Sequence, residues 1–171
     1  ELAEFKFIYW WEWGHRQLGR FIGLLFAAGL LLAALKRWVS LRLGVLLFAL
    51  GLVLALQGAI GWIMVASGLK PGMIAVAPVK LTLHLGFACL FFAGLVFVWT
   101  RLRLPRDTGE GPRMAALGLW GLIFVQILLG GLVAGSRAGL TYNTWPLMDG
   151  HFIPPAAKLF VVTPLIENFV D

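Results

Sequence analysis

Three side chains in this chain could do chemistry inside an apolar setting: Glu12, His15 and His84. Glu12 and His15 stand three residues apart in the stretch YWWEWGHRQLGR, so they share one face if the segment is helical. His84 lies in LTLHLGFA, inside a second apolar run. Ionisable groups in such runs are costly and face a bundle interior or a cavity. Two imidazoles opposed across a bundle suit axial ligation of a haem iron, tuned by ligand identity and pocket polarity. The alternatives are histidines that only hydrogen-bond a neighbouring helix or sit at the headgroup level. Zinc is disfavoured, because no third or fourth ligand stands at metal-like spacing.

Around His15, Gly19 and Gly23 continue the Glu12–His15 face at four-residue intervals, a side bare enough for a flat group to approach the backbone. The same GRFIG pattern also reads as a small-xxx-small helix contact. Gly86, beside His84, is a weaker sign of the same kind. Arg16, Arg20 and Arg137 fall near one boundary and could pair with haem propionates through bidentate contacts, or snorkel to lipid headgroups. Trp10, Trp11 and Trp13 are first an interfacial aromatic belt.

These residues need membrane helices to position them. Of the 171 residues, 60% are hydrophobic and 13% charged, with a mean hydropathy of +0.89. That is a membrane protein's composition. Four stretches can each cross a hydrocarbon core of roughly 30 Å, namely Gln17 to Leu35, Leu43 to Ala66, Leu81 to Thr100 and Met114 to Gly135. The fold class expected is all-α, a polytopic transmembrane helix bundle with the lipid bilayer as its solvent. A formal charge of +6 resides in short loops such as KRWVSLR and RLRLPRDTGEGPR, which set topology and do not form a nucleic-acid surface. By the positive-inside rule these two loops face the cytoplasm or matrix, so His15 and His84 both sit toward the outer side. Pro105 and the Gly109–Gly111 turn mark a solvated connection, and Lys70, Lys80 and a tail with Lys158, Glu167 and Asp171 lie outside. The lone Cys89 is read as a small core residue. Both ends look cut, as in a segment of a longer protein.

There is also a faint internal echo. QGAIGWIMVASGL (57–69) and QILLGGLVAGSRAGL (126–140) each place Gly four residues after Gln and close on a glycine-leucine exit, hinting at duplicated hairpins. Further on, YNTWPLMDG carries Pro146 and Gly150, which imply a turn, and His151 behind it reads as a loop residue.

EFKFIYWWEWGHRQLGR, LQGAIGWIMVASGL, LTLHLGFA and GGLVAGSRAGLTYNTWPLMDG together resemble the haem A synthase family, in its mitochondrial and alphaproteobacterial branch. The resemblance implies half of a pseudo-symmetric eight-helix protein. Residues 1–16 would be an outer-face aromatic segment, 17–113 three helices of the amino-terminal haem-binding half, 114–135 the first helix of the second half, and 136–171 an outer-face loop. It also implies a haem-dependent oxidoreductase that turns the methyl group of haem O into a formyl group through a hydroxymethyl intermediate, for cytochrome oxidase assembly. His15 and His84 would then be the axial ligands at the haem O site and Glu12 the acid needed there, with Arg16, Arg20, Gly19 and Arg137 lining the cofactor. Haem b is expected in the half not covered here, and haem O synthase, cytochrome oxidase assembly factors and a second copy of the chain are the expected partners. The location implied is the bacterial or mitochondrial inner membrane. An iron with two histidine ligands has no open position for oxygen. Either one ligand leaves during turnover, or electrons are withdrawn and water supplies the oxygen. The competing class is an electron-transfer membrane cytochrome b, which has no evident need for an acid beside its ligand.

Overall fold

A computed structural model describes residues 2–68, 76–103 and 112–155 of the chain. Four long helices carry the architecture: α1 (Leu2–Leu35), α2 (Leu41–Ser67), α3 (Pro78–Arg103) and α4 (Arg113–Gly135), followed by the short α5 (Ala138–Thr141). All four long helices are long and apolar enough to cross a membrane. The chain is therefore a multi-pass, all-α membrane protein, as its hydropathy predicts, and α2, α3 and α4 match the expected spans to within three residues at each end. Pro105, Gly109–Gly111, Lys70, Lys158, Glu167 and Asp171 lie outside the described residues.

The first helix differs from the expectation. It starts at Leu2 and runs unbroken through the tryptophans to Leu35, 34 residues in all, or about 51 Å at roughly 1.5 Å per residue. It thus exceeds a hydrocarbon core of roughly 30 Å by several turns. The aromatic segment expected at residues 1–16 is, from Leu2, a continuation of the same helix. Trp10 packs edge to face on Tyr9 and on Trp13, with ring centroids 5.5 Å and 5.7 Å apart.

The described chain forms two compact units, Glu1–Gly58 and Ala59–Asp171, with the boundary inside α2. In the first, α1 stops in a Schellman turn: Trp38 N–H donates to the Ala33 carbonyl at 2.9 Å and Arg37 N–H to Ala34 at 3.1 Å. Arg37 takes the left-handed position with φ of 56°. Ser40 then caps α2, its Oγ accepting from Leu43 N–H at 3.4 Å. Phe26 of α1 lies over Gly51 of α2, where an added Cβ would come within 3.1 Å of its ring.

In the second unit the end of α2 is tied to the start of α3. The buried Ser67 hydroxyl donates to Met64 O at 2.6 Å and accepts from Ala77 N–H at 3.4 Å. Pro78 opens α3 at its first position, where its missing N–H costs nothing. The α3 and α4 helices then pack through small residues. A Cβ added at Gly135 would lie 2.8 Å from Pro78 Cα, one at Gly131 2.9 Å from Thr82 Oγ1, and one at Gly86 2.8 Å from Leu128 Cδ2. Pro78, Thr82 and Gly86 repeat every four residues on α3, and Gly131 and Gly135 do so on α4, so along an antiparallel seam the bare backbone of α4 receives Pro78 and Thr82 and that of α3 receives Leu128. Few side chains are buried outright: Leu50, Ala77 and Val98 are the buried apolar residues described. The large apolar side chains that remain exposed are the surface such helices offer to lipid and to further helices.

After α4 the chain turns at Arg137, whose φ is 53°. Beyond α5, residues 144–151 form a tight knot with a cis Trp145–Pro146 bond. Thr144 Oγ1 donates to Leu147 O and accepts from Asp149 N–H. Met148 and His151 pair as a two-residue hairpin around Asp149 and Gly150, both at positive φ. The turn expected at Pro146 and Gly150 is present, and His151 is an exposed residue of it.

Candidate functional site

On α1 the expected face exists. Because the helix is continuous from Leu2, Glu12 and His15 share a side, and Gly19 and Gly23 extend it. A Cβ added at Gly14, Gly19 or Gly23 would meet nothing within 4 Å. Among the described residues none of these glycines serves as a helix contact, and the GRFIG face is open. The carboxylate of Glu12 accepts from Arg16 Nη2 at 3.2 Å, an i,i+4 ion pair with both side chains at least half exposed. Arg20 donates to Gln17 Oε1 at 3.2 Å. Exposed i,i+4 pairs contribute about 0.3–0.5 kcal/mol, so the Glu12–Arg16 contact orients the carboxylate more than it stabilises the helix.

His84 belongs to the second unit, on the side of α3 away from α4. Its Nδ1 is shielded from solvent. The imidazole rests against α2 at Gly61, where an added Cβ would stand 2.7 Å from Cε1, 3.2 Å from Nδ1 and 3.5 Å from Nε2. Only glycine leaves room for the ring in this position. Gly86 is corrected by the structure: it faces Leu128 and Phe124 of α4. Two residues beyond His84 on a helix lies the opposite face, so Gly86 serves helix packing. Arg137 is exposed at the α4–α5 corner, and Cys89 is a half-buried free thiol on α3.

Gly61 was not legible as a site residue from the sequence. The signal was the Gln57–Gly61 spacing, which marks a glycine in the C-terminal part of α2, but only the helix rotation shows that it meets His84. Among the described residues no three His, Cys, Asp or Glu gather as a metal-ligating group. The bare backbone at Gly61 seats the His84 imidazole against α2, with its Nδ1 away from solvent.

A family model described as cytochrome oxidase assembly protein, COX15-CtaA, matches residues 1–171. The chain belongs to this family. Among curated COX15-CtaA relatives, the heme A synthase of Methylobacterium nodulans is 59% identical over 99% of this chain and 48% of its own length. That of Methylobacterium radiotolerans is 57% identical over 99% of this chain and 47% of its own. That of a Bradyrhizobium species is 53% identical over 99% and 47%. The chain thus spans about half the length of the curated relatives it matches. No solved structure matches it.

Proposed function

We propose that this chain is the haem O-binding half of a haem A synthase, a haem-dependent oxidoreductase that converts the methyl group of haem O into a formyl group for cytochrome oxidase assembly. The observation that carries the reading is the conjunction of 59% identity to a heme A synthase over 99% of the chain with a histidine seated on a glycine in a membrane helix. In this reading His15 and His84 bind the iron of haem O and fix the macrocycle. The flat side of α1 at Gly19 admits the ring, and Arg16, Arg20 and Arg137 take the propionates. The iron porphyrin supplies the redox chemistry. Glu12 would accept a proton from a hydration step at the haem edge, or stabilise positive charge developing at the carbon being converted. Arg16 has a double part, since it holds Glu12 at 3.2 Å; a propionate that draws the guanidinium away releases the carboxylate for that work.

The domain plan follows from the same reading: an outer-face aromatic segment at 1–16, three helices of the haem O half within 17–113, the first helix of the second half at 114–135, and an outer loop at 136–171. The site faces the periplasmic or intermembrane side of the inner membrane. Haem b occupies the half that this chain does not cover, and haem O synthase, assembly factors or a second copy are the partners.

The test is made on the protein expressed at the full length of its relatives, supplied with haem O, with bound haems extracted and separated by chromatography and mass. Wild type should yield hydroxylated haem and haem A, and Glu12→Ala should retain haem O unconverted. His15→Ala or His84→Ala should lose haem from this site. If wild type and the Glu12 variant both carry only unmodified haem b, the protein is an electron-transfer cytochrome and the synthase reading falls.

A further inference from the structure

We propose that Gly61 is a positioning residue for His84: the bare α2 backbone at this glycine is the wall that fixes the plane of the imidazole. The inference rests on the reading of His84 as a haem ligand and adds a residue to that site.

The three ring atoms nearest a Cβ at Gly61 are Cε1, Nδ1 and Nε2. The edge of the imidazole that carries both nitrogens therefore lies against α2. Rotation about the second side-chain torsion of histidine is broad, so rotamer preference alone leaves the ring plane undetermined and its surroundings set it, the Gly61 backbone among them. The wall can act as a stop because the helices on either side of it are held. Ala77 N–H bonds to Ser67 Oγ where α2 passes to α3, and α3 is seated on α4 at Pro78, Thr82 and Gly86.

Gly61→Ala would bring a methyl group well inside van der Waals distance of the ring. The atoms it meets are the far end of a side chain, so the imidazole turns before the helices part. Alanine is also the better helix former, which favours retention of the fold. The expected consequence is a turned ligand on an intact bundle. Groups that orient a metal's ligands tune its affinity and electronics, and their loss typically weakens binding by roughly 10–100-fold.

The experiment uses the protein expressed at the length of its relatives, as wild type, Gly61→Ala, Gly58→Ala, His84→Ala and the Gly61→Ala/His84→Ala double variant. Each is read by electron paramagnetic resonance of the ferric low-spin haem and by optical redox titration. Gly61→Ala should move the resonance and midpoint potential of this haem and weaken its retention by roughly tenfold or more. Gly58→Ala, whose methyl would meet nothing within 4 Å, should match wild type. In the His84→Ala background the Gly61 change should add nothing, since the interaction it perturbs is gone. If His84→Ala loses the signal while Gly61→Ala leaves resonance and potential unchanged, the Gly61 role is overturned and the ligand reading stands. If His84→Ala keeps the signal, the ligand reading fails and takes the inference with it. Should Gly61→Ala not accumulate, accumulation of the double variant at the His84→Ala level supports a clash with the imidazole, and failure of both overturns it.

Discussion

Gly135→Ala tests whether the α3–α4 seam is held by close backbone approach. The new methyl would stand 2.8 Å from Pro78 Cα and 3.0 Å from Pro78 Cβ, about 1 Å inside the roughly 3.5–4.0 Å of a carbon contact. Neither atom can swing away, because one is backbone and the other belongs to the pyrrolidine ring. The helices must part locally, an overpacking cost of about 1–3 kcal/mol. Against this, alanine in place of glycine contributes about 1 kcal/mol of helix propensity. The expected net loss is about 1 kcal/mol, and about 2 at the upper end. Gly130→Ala isolates the propensity term, since its methyl would meet nothing within 4 Å. The assay is reversible unfolding of the detergent-solubilised protein by titration with sodium dodecyl sulfate, followed by circular dichroism. The contrast between the two variants should be about 2 kcal/mol, with Gly130→Ala at or above wild type. If Gly135→Ala is as stable as Gly130→Ala, the seam does not depend on the bare backbone at this position.

Two further outcomes are expected. Thr82 Oγ1 is buried with no hydrogen-bond partner among the described residues, so Thr82→Val should be neutral or stabilising in the same titration, whereas a hydroxyl engaged in a bond would cost about 1 kcal/mol on removal. Arg16→Ala removes an exposed ion pair and should lower stability by no more than about 0.5 kcal/mol, while in the haem-extraction assay it slows conversion of haem O; a large stability loss would show that Arg16 packs as well as pairs.

The four spans were legible because apolar runs of about twenty residues have one physical solution in a bilayer, a helix that satisfies its own backbone. The extension of α1 ahead of Gln17 was not, since the mixture of Trp, Glu, His and Arg reads as an interface whether or not it is helical. Nothing before Lys36 breaks it: there is no proline from Leu2 to Leu35, and Gly14 is tolerated. The end of α1 at Leu35 was legible, since the apolar run stops at KRWVSLR; what stayed hidden is that arginine takes the left-handed position of the Schellman turn, which usually takes glycine. In the site, His84 was found by its cost in an apolar run. Its seat at Gly61 depends on how α2 is rotated about its axis, which hydropathy does not encode. The same limit misplaced Gly86, assigned to the ligand's face although it stands two residues away.

That two-residue offset links packing to the site. At 3.6 residues per turn, positions two apart point about 200° from each other. With Pro78, Thr82 and Gly86 seated on α4, His84 has to point to the other side of α3, where Gly61 receives it. A slip of α3 by one residue along the seam would swing His84 through about 100° and bring Leu81 or Leu83 to the place where Thr82 now meets Gly131. The approach at Gly131, where a Cβ would stand 2.9 Å from Thr82 Oγ1, leaves little room for a leucine in place of Thr82 and so disfavours that register. The direction of the candidate ligand is therefore set on the face of α3 that carries no chemistry, and the plane of its ring on the helix opposite.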